Sequence, residues 1–457
     1  MDLSTLTKNE LLIKCNELNI KKCSSKNKSQ LIELIEQELI EKELNEKQLN
    51  EVPVQILQDN ESKTFKFIDL FCGIGGFHQA MLNLNKDFKC VFASDIDKNC
   101  RDVYLNNYGL LPDSDIKKIN EKNIPNFDIL CGGFPCQTFS NSGKKEGFED
   151  ERGTLFEDIL RIAVEKKPSF MFLENVKHIK KIQNGTIFEH IIKRINESGY
   201  VVNNETVFEL SPHELGIPQH RERVIFVCIR NDIYDPSKKI IINAPNCSIN
   251  MKKIIETDIE KTKKYRISKE IEDVLNAWDK MIQQFEVDET LSPTILCNEF
   301  YNIYTDAELN NLPDWKQDYI KRNKPLYEKY QNVWDVWHEE NNELISKKEI
   351  YGKLEWQTGK KKVNDSIWNY FIQLRQSGIR VKKSDYFPTL VAIVQTPIYA
   401  KERRYITPRE CARLQSFPDS FILHTNDHTA YKQFGNAVNV DVAQYVIENS
   451  LKTYGYI

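Results

Sequence analysis

The chain is 457 residues long, 40% hydrophobic and 28% charged, with a formal net charge of −4. That length holds two or three domains with a full core, while no apolar run reaches a membrane span and the polar N-terminus is no secretory signal. The eleven cysteines make no CxxC pair and the eight histidines no ligand cluster (His424 and His428 read as surface residues), which argues against a disulfide scaffold and a metal centre.

Residues 1–40 read as a separate helical unit. Thr7-Lys8-Asn9-Glu10 has the form of a capping box, and Leu11, Cys15 and Leu18 then share one helical face. A Lys- and Ser-rich turn, 21–29, leads into a second apolar helix with Leu31, Leu34 and Ile35. Residues 2–37 resemble the SAP module, a small DNA-binding helical unit, although Lys22 and Cys23 stand where that module usually has a glycine. Residues 41–63, rich in Glu, Asn, Lys and Gln, are the expected linker.

From Phe65 short apolar runs alternate with helical patterns. Strands are expected at 65–71, 90–94, 127–130, 170–173 and 224–229, with helices at 154–165 and 186–198 among the segments between. This alternation predicts an α/β protein with a doubly wound, mostly parallel sheet.

The first strand runs into Asp69-Leu70-Phe71-Cys72-Gly73-Ile74-Gly75-Gly76 and a helix. Glycines let the backbone approach a ligand closely, and the helix start offers free N–H groups. The spacing is not G-x-G-x-x-G, Phe71 can lie on a flat base, and Asp95 and Asp115 can accept hydrogen bonds from ribose hydroxyls and an exocyclic amine. These features favour S-adenosylmethionine over NAD, an alternative that stays open on these residues alone.

The third strand leads to Gly132-Gly133-Phe134-Pro135-Cys136-Gln137-Thr138. Cys136 thus lies just past a strand's carboxyl end, where α/β proteins gather their chemistry, although a free cysteine is often only a small buried apolar residue. Further on, Glu174 reads equally as a salt-bridge partner, and Arg221 and Arg223 as phosphate contacts. Residues 233–385 break the strand–helix rhythm and predict an irregular region. Within it, 347–383 carries ten Lys or Arg against three acids, interleaved with Trp356, Trp368, Tyr370 and Phe371. That mixture suits a phosphate-facing surface as well as a merely solvated one.

Taken in order, six segments resemble the cytosine-5 DNA methyltransferase family over residues 65–450. They are 67–76, 133–137, Glu174-Asn175-Val176, 219–223, 404–417 and 433–438. Cys72 departs from the family's usual alanine. The resemblance implies an S-adenosylmethionine-dependent, Rossmann-like methyltransferase that acts on carbon 5 of a flipped cytosine through a covalent Cys136 adduct. It assigns Glu174, Asn175, Arg221 and Arg223 to the catalytic set. For the methyl donor it points to Asp69, Phe71, Gly73, Gly75, Gly76, Asp95, Ile96, Asp115, Ile116, Pro135, Leu155, Asn436 and Ala437. The segment 140–153, with Ser142, Lys144 and Lys145, resembles the family's mobile catalytic loop.

The implied layout is a catalytic domain at 64–232, an irregular target-recognition domain at 233–430 and a C-terminal helix at 431–457 returning to the catalytic domain. Pro388-Thr389-Leu390 resembles a pair common near the end of such recognition regions. The expected partner is duplex DNA, with a cognate restriction endonuclease where the enzyme protects DNA; no metal and no membrane are expected. The chain is expected to act as a monomer in the cytoplasm or another DNA-containing compartment, a viral programme included. A tRNA cytosine-5 methyltransferase is the nearest alternative, ahead of a catalytically dead DNA-binding relative and a NAD-dependent enzyme. Arg375, Gln376 and Arg380 can each make bidentate base contacts, but the sequence maps none of them onto a base.

Overall fold

The computed structural model describes residues 6–17, 26–32, 35, 64–84, 87–135, 153–245, 247–291, 294–393 and 395–457. The chain divides into two compact units, Met1–Ser62 and Lys63–Ile457. In the first, the helix Lys8–Glu17 begins at a capping box: the Thr7 N–H donates to Glu10 Oε2 at 2.7 Å and the Glu10 N–H returns to Thr7 Oγ1 at 3.4 Å. Asn27 and Gln30 repeat the device at the next helical turn. Leu11, Cys15, Leu31 and Ile35 form the small core between them. Leu18, Leu34 and the linker 41–63 lie outside the described residues.

The second unit has a mixed α/β fold built on two sheets. The larger has seven strands: β1 (Phe65–Leu70), β2 (Phe88–Ser94), β3 (Ile129–Gly133), β4 (Phe170–Val176), β5 (Tyr200–Val201), β6 (Val207–Leu210) and β7 (Arg223–Arg230). Their order is β2-β1-β3-β4-β7-β5, with β6 also paired to β7. Pairing is parallel from β2 to β4, and every pair that β7 makes is antiparallel. β7 therefore runs against the other six strands, which gives the sheet three parallel and three antiparallel pairs.

Side-chain alternation explains why these runs are so continuously apolar. Phe67, Ile129, Cys131, Phe170, Phe172, Ile225 and Val227 enter one core, shared with the helices Gly76–Leu84 and Val440–Tyr454. Ile68, Leu70, Leu130, Met171, Leu173, Val224 and Phe226 enter another, shared with the helices Gly153–Lys166 and Thr186–Glu197. Both faces are covered, so a strand has no polar side to show.

Chain order makes β1 the pivot: the path goes outward to β2, then returns across β1 to β3. The carboxyl ends of β1 and β3 flank the resulting crevice, the usual ligand position in open α/β sheets.

The stretch expected to be irregular is regular. Helices Lys269–Gln284, Asp314–Lys329 and Gln331–Ile345 pack on a six-stranded sheet of β8 (Ile295–Leu296), β9 (Lys353–Gln357), β10 (Phe371–Arg375), β11 (Gly378–Lys382), β12 (Ile398–Tyr399) and β13 (Arg404–Tyr405). Its core is centred on Trp278, Trp334 and Trp337. Ile271, Val274, Leu275, Trp278, Met281 and Ile282 follow Ser268, whose hydroxyl accepts from the Ile271 N–H. That is a helical period behind a cap, and polar neighbours masked it.

The basic and aromatic cluster also separates. Trp356, Tyr370 and Phe371 are buried, while Lys348, Lys353 and Arg380 pair with Glu270, Glu349 and Glu355. Those three aromatic residues serve the core, while Trp368 is half-buried with the Arg403 guanidinium 4.5 Å over its ring. No helix among the described residues is long and apolar enough to cross a membrane.

Candidate active site

Four strands deliver their carboxyl ends to the crevice. After β1 the chain turns sharply: Phe71, Gly73 and Gly75 have φ of 53°, 54° and 86°. Glycine is required at 75, where a Cβ would lie 2.3 Å from the Tyr108 ring, and the Tyr108 hydroxyl donates to the Gly75 carbonyl at 2.9 Å. Gly76 is equally tight, since its Cβ would lie 2.5 Å from the Val438 carbonyl oxygen. Gly73 differs, because a Cβ there would meet nothing within 4 Å. The loop is thus packed from behind and open in front.

Asp95, just after β2, is fixed as an acceptor. One carboxylate oxygen takes the Gly73 N–H at 2.8 Å and the other the Asp97 N–H at 2.8 Å. Burial raises its pKa, with those two N–H bonds opposing. Ile96 beside it is 79% exposed, an apolar surface with no protein cover. Asp115 caps the short turn Ile116–Lys118 by accepting from the Lys117 N–H, and Ile116 is buried. Asp69 is buried at the end of β1 with Oδ1 lacking any hydrogen-bond partner, and burial drives its pKa far upward. Leu155 is half-buried in the helix Gly153–Lys166, Asn436 is exposed and Ala437 buried.

β3 ends at Gly133, and Phe134 and Pro135 follow it. Cys136 and residues 137–152, including Ser142, Lys144 and Lys145, lie outside the described residues. What surrounds the approach to Cys136 is clear. In the ladders Glu174 of β4 stands opposite Gly133 of β3 and Ile225 of β7. A Cβ on Gly133 would come within 3.7 Å of Glu174 Oε2. Next to it, buried Asn175 donates to the Phe134 carbonyl at 3.0 Å and accepts from the Val176 N–H.

The Arg223 Nε lies 2.8 Å from Glu174 Oε1, with both side chains mostly covered. Desolvation nevertheless wins at Glu174, because its pKa rises, with Arg223 and then Arg221 pulling it back. A carboxyl in this state can carry a proton nearer neutrality than an exposed one.

Arg221 sits differently from a group presented to a base. It is 2% exposed, and its guanidinium donates to the carbonyls of Leu390, Gly435 and Ala437 at 2.7, 2.8 and 3.0 Å. Its own N–H donates to Ser211 Oγ at 2.9 Å. Thr389, from the Thr-Leu pair, donates its hydroxyl to the His220 carbonyl. The arginine segment is therefore a joint between the larger sheet, the segment at Thr389 and Leu390, and the C-terminal helices. Tyr108 and Ser211 belong to no motif of the sequence, and their contacts arise only from folding. Among the described residues no group of three or more His, Cys, Asp or Glu could hold a metal ion.

Comparison with known proteins fits this geometry. A family profile described as C-5 cytosine-specific DNA methylase matches residues 65–452. The Type II methyltransferase M.HhaI of Haemophilus parahaemolyticus is 33% identical over 393 residues, covering 86% of this chain and 96% of its own. The Type II methyltransferase M.HpaII of Haemophilus parainfluenzae is 32% identical over 405 residues, covering 87% and 92%. The Type II methyltransferase M1.ScrFI of Lactococcus lactis subsp. cremoris is 31% identical over 399 residues, covering 86% and 80%.

Proposed function

Because this chain belongs to the C-5 cytosine-specific DNA methylase family, we infer that its crevice carries the family's covalent chemistry on the residues described above. The chain is a DNA cytosine-5 methyltransferase, and enzymes of this family take the methyl group from S-adenosylmethionine.

The donor fits the front of the β1 loop. Gly73 leaves open space there, Asp95 offers a fixed acceptor for ribose hydroxyls, and Ile96 offers an uncovered apolar face for the adenine ring. Phe71, Gly75, Gly76, Asp69, Asp115, Ile116, Pro135, Leu155, Asn436 and Ala437 complete the proposed pocket.

Carbon 5 of cytosine is too weak a nucleophile to attack a sulfonium unaided, and covalent catalysis answers that. The Cys136 thiolate adds to carbon 6 of a base turned out of the duplex. Electron density then builds on carbon 5 while Glu174 protonates or hydrogen-bonds ring nitrogen 3. Carbon 5 attacks the methyl carbon of the donor, and the carbon–sulfur bond breaks with its electron pair staying on sulfur, so that S-adenosylhomocysteine leaves. Loss of the carbon 5 proton and expulsion of Cys136 restore the aromatic ring. Arg223 steadies Glu174 and faces the base carbonyl, Asn175 holds the Phe134 carbonyl, and Arg221 acts by positioning. The observation that carries this reading is the mostly covered Glu174–Arg223 pair across the ladder from the strand that leads to Cys136.

The finer layout follows on the same footing: a doubly wound catalytic domain at 64–232, target recognition at 233–430 and a SAP-like DNA-binding module at 1–40. The Type II names of the relatives support a place in restriction–modification; a cognate endonuclease as partner and a monomeric enzyme complete the proposal. Incubation of the protein with S-adenosylmethionine and duplexes carrying 5-fluorocytosine tests the chemistry. A covalent protein–DNA species is expected, because fluorine cannot leave as a proton does. No trapped species on DNA, or methyl transfer to tRNA alone, would overturn the assignment, as would undiminished methylation by Cys136→Ser.

A further inference from the structure

Alternate residues of β9, β10 and β11 divide between two faces. Leu354, Trp356, Ile372, Ile379 and Val381 enter the tryptophan core. The opposite face is polar, and the ladders set three side chains in a row across adjacent strands: Gln373 opposite Arg380, and Arg380 opposite Glu355.

This face borders the catalytic crevice. Phe371, on the same face of β10, joins the catalytic core and packs on Phe387 with ring centroids 4.4 Å apart. The Phe387 N–H donates to the Pro218 carbonyl at 2.7 Å, close ahead of Arg221. Burial lowers the pKa of His220, the neighbour of Arg221, and the charges of His213 and then of Lys382, next along the face from Arg380, lower it further. Gln373 donates to the Gln395 carbonyl at 3.2 Å, in the segment that leaves Leu390.

Arg380 is held in one plane and left incomplete. Its Nε lies 2.7 Å from Glu355 Oε2, and Gln357 donates to the other Glu355 oxygen. The two terminal guanidinium nitrogens make no hydrogen bond among the described residues, although the side chain is only 22% exposed. On the same face of β10, the Arg375 Nε is buried with no partner at all. The unpaired terminal nitrogens of Arg380 and the unpartnered Nε of Arg375 leave donors on this face that suit an acceptor-rich ligand.

We propose that Arg380 is a specificity-determining residue, its guanidinium oriented by Glu355 to read O6 and N7 of a guanine in the major groove of the target duplex. Those two acceptors lie side by side on guanine alone, and two parallel N–H donors match them where a lysine ammonium does not. The proposal rests on the reading of the chain as a DNA cytosine-5 methyltransferase.

The test uses the full-length enzyme, S-adenosylmethionine and a duplex library randomised around cytosine, with methylated positions read by sequencing. The wild type defines a site containing at least one required guanine. Arg380→Gln, and the double variant Glu355→Gln/Arg380→Gln that removes both charges together, should lose discrimination at one G·C pair by about 10- to 100-fold while keeping the rest of the site. Wild-type enzyme should also be slowed by 7-deazaguanine at that single position, a result that needs no variant to fold. Indifference to 7-deazaguanine at every guanine of the site would overturn the proposal. So would variants that keep the wild-type site throughout, or that lose methylation evenly across the library. A wild-type enzyme that methylates no library member counts against the activity itself and not against the role of Arg380.

Discussion

Asn175 donates from its side-chain amide to the carbonyl of Phe134, 3.0 Å away, and so ties the end of β4 to the segment that runs into Cys136. Both residues are buried, so the bond has no water to replace it. Asn175→Ala strands the Phe134 carbonyl and should cost about 1–3 kcal/mol of stability. Turnover should fall further than donor affinity, because the bond guards the nucleophile segment. Urea unfolding measures the stability loss, and steady-state turnover beside calorimetric titration of S-adenosylmethionine measures the other two effects; equal losses of turnover and donor affinity would argue for a merely structural Asn175.

Burial lifts the Glu174 carboxyl above the ordinary carboxylate range, against the opposing pull of Arg223 and Arg221. A carboxyl raised in the folded protein keeps its proton where the unfolded chain has lost it. Its contribution to stability is therefore full below the unfolded value, and it is lost as pH rises through the folded one. The stability of wild type relative to Glu174→Gln should decline from about pH 4 upward. A pH series of urea midpoints gives the slope, and a flat difference would contradict a raised value. The same variant should lose about 10²–10⁴-fold in turnover if Glu174 serves as the acid.

Arg221 holds three carbonyls from separate parts of the chain. Arg221→Ala leaves all three without a donor in a buried joint, so the loss should exceed about 3 kcal/mol. Arg221→Lys should rescue little, since one ammonium cannot span the fork. Thermal unfolding checks both, and a lysine variant as stable as wild type would refute the clamp.

The Tyr108 hydroxyl on the Gly75 carbonyl steadies the loop proposed to face the donor. Tyr108→Phe keeps the ring and removes the bond, so KM for S-adenosylmethionine should rise by about 2- to 10-fold with kcat nearly constant. Gly75→Ala should be far worse, because its Cβ would meet that ring at 2.3 Å on a backbone with φ of 86°. Steady-state kinetics with the donor varied distinguish the two.

The N-terminal unit has its own small core of Leu11, Cys15, Leu31 and Ile35. If it adds phosphate contacts, removal of residues 1–40 should weaken duplex binding and flatten its dependence on salt while S-adenosylmethionine affinity holds. Binding isotherms across a salt series decide this, and an unchanged slope would remove the module from DNA recognition.

Much of the catalytic half was legible in the chain alone. β1, β4 and β7 are short apolar runs, and burial on both faces makes such runs visible without knowledge of their neighbours. The turn after β1 and the Glu174–Asn175 pair announced themselves because local backbone needs and short motifs are written in consecutive residues. The helix Lys269–Gln284 was equally periodic, but charged neighbours obscured it.

What the chain could not disclose depends on partners far away along it. The acceptors of Arg221 lie 169, 214 and 216 residues distant, so only packing makes a clamp of a residue the motif places in the catalytic set. The rank of Gln373, Arg380 and Glu355 likewise exists only once strand register is set. Register comes from burying one face of β9, β10 and β11 against tryptophans drawn from separate helices. Composition supplied the charges of residues 347–383; the sheet alone chose which of them stand together.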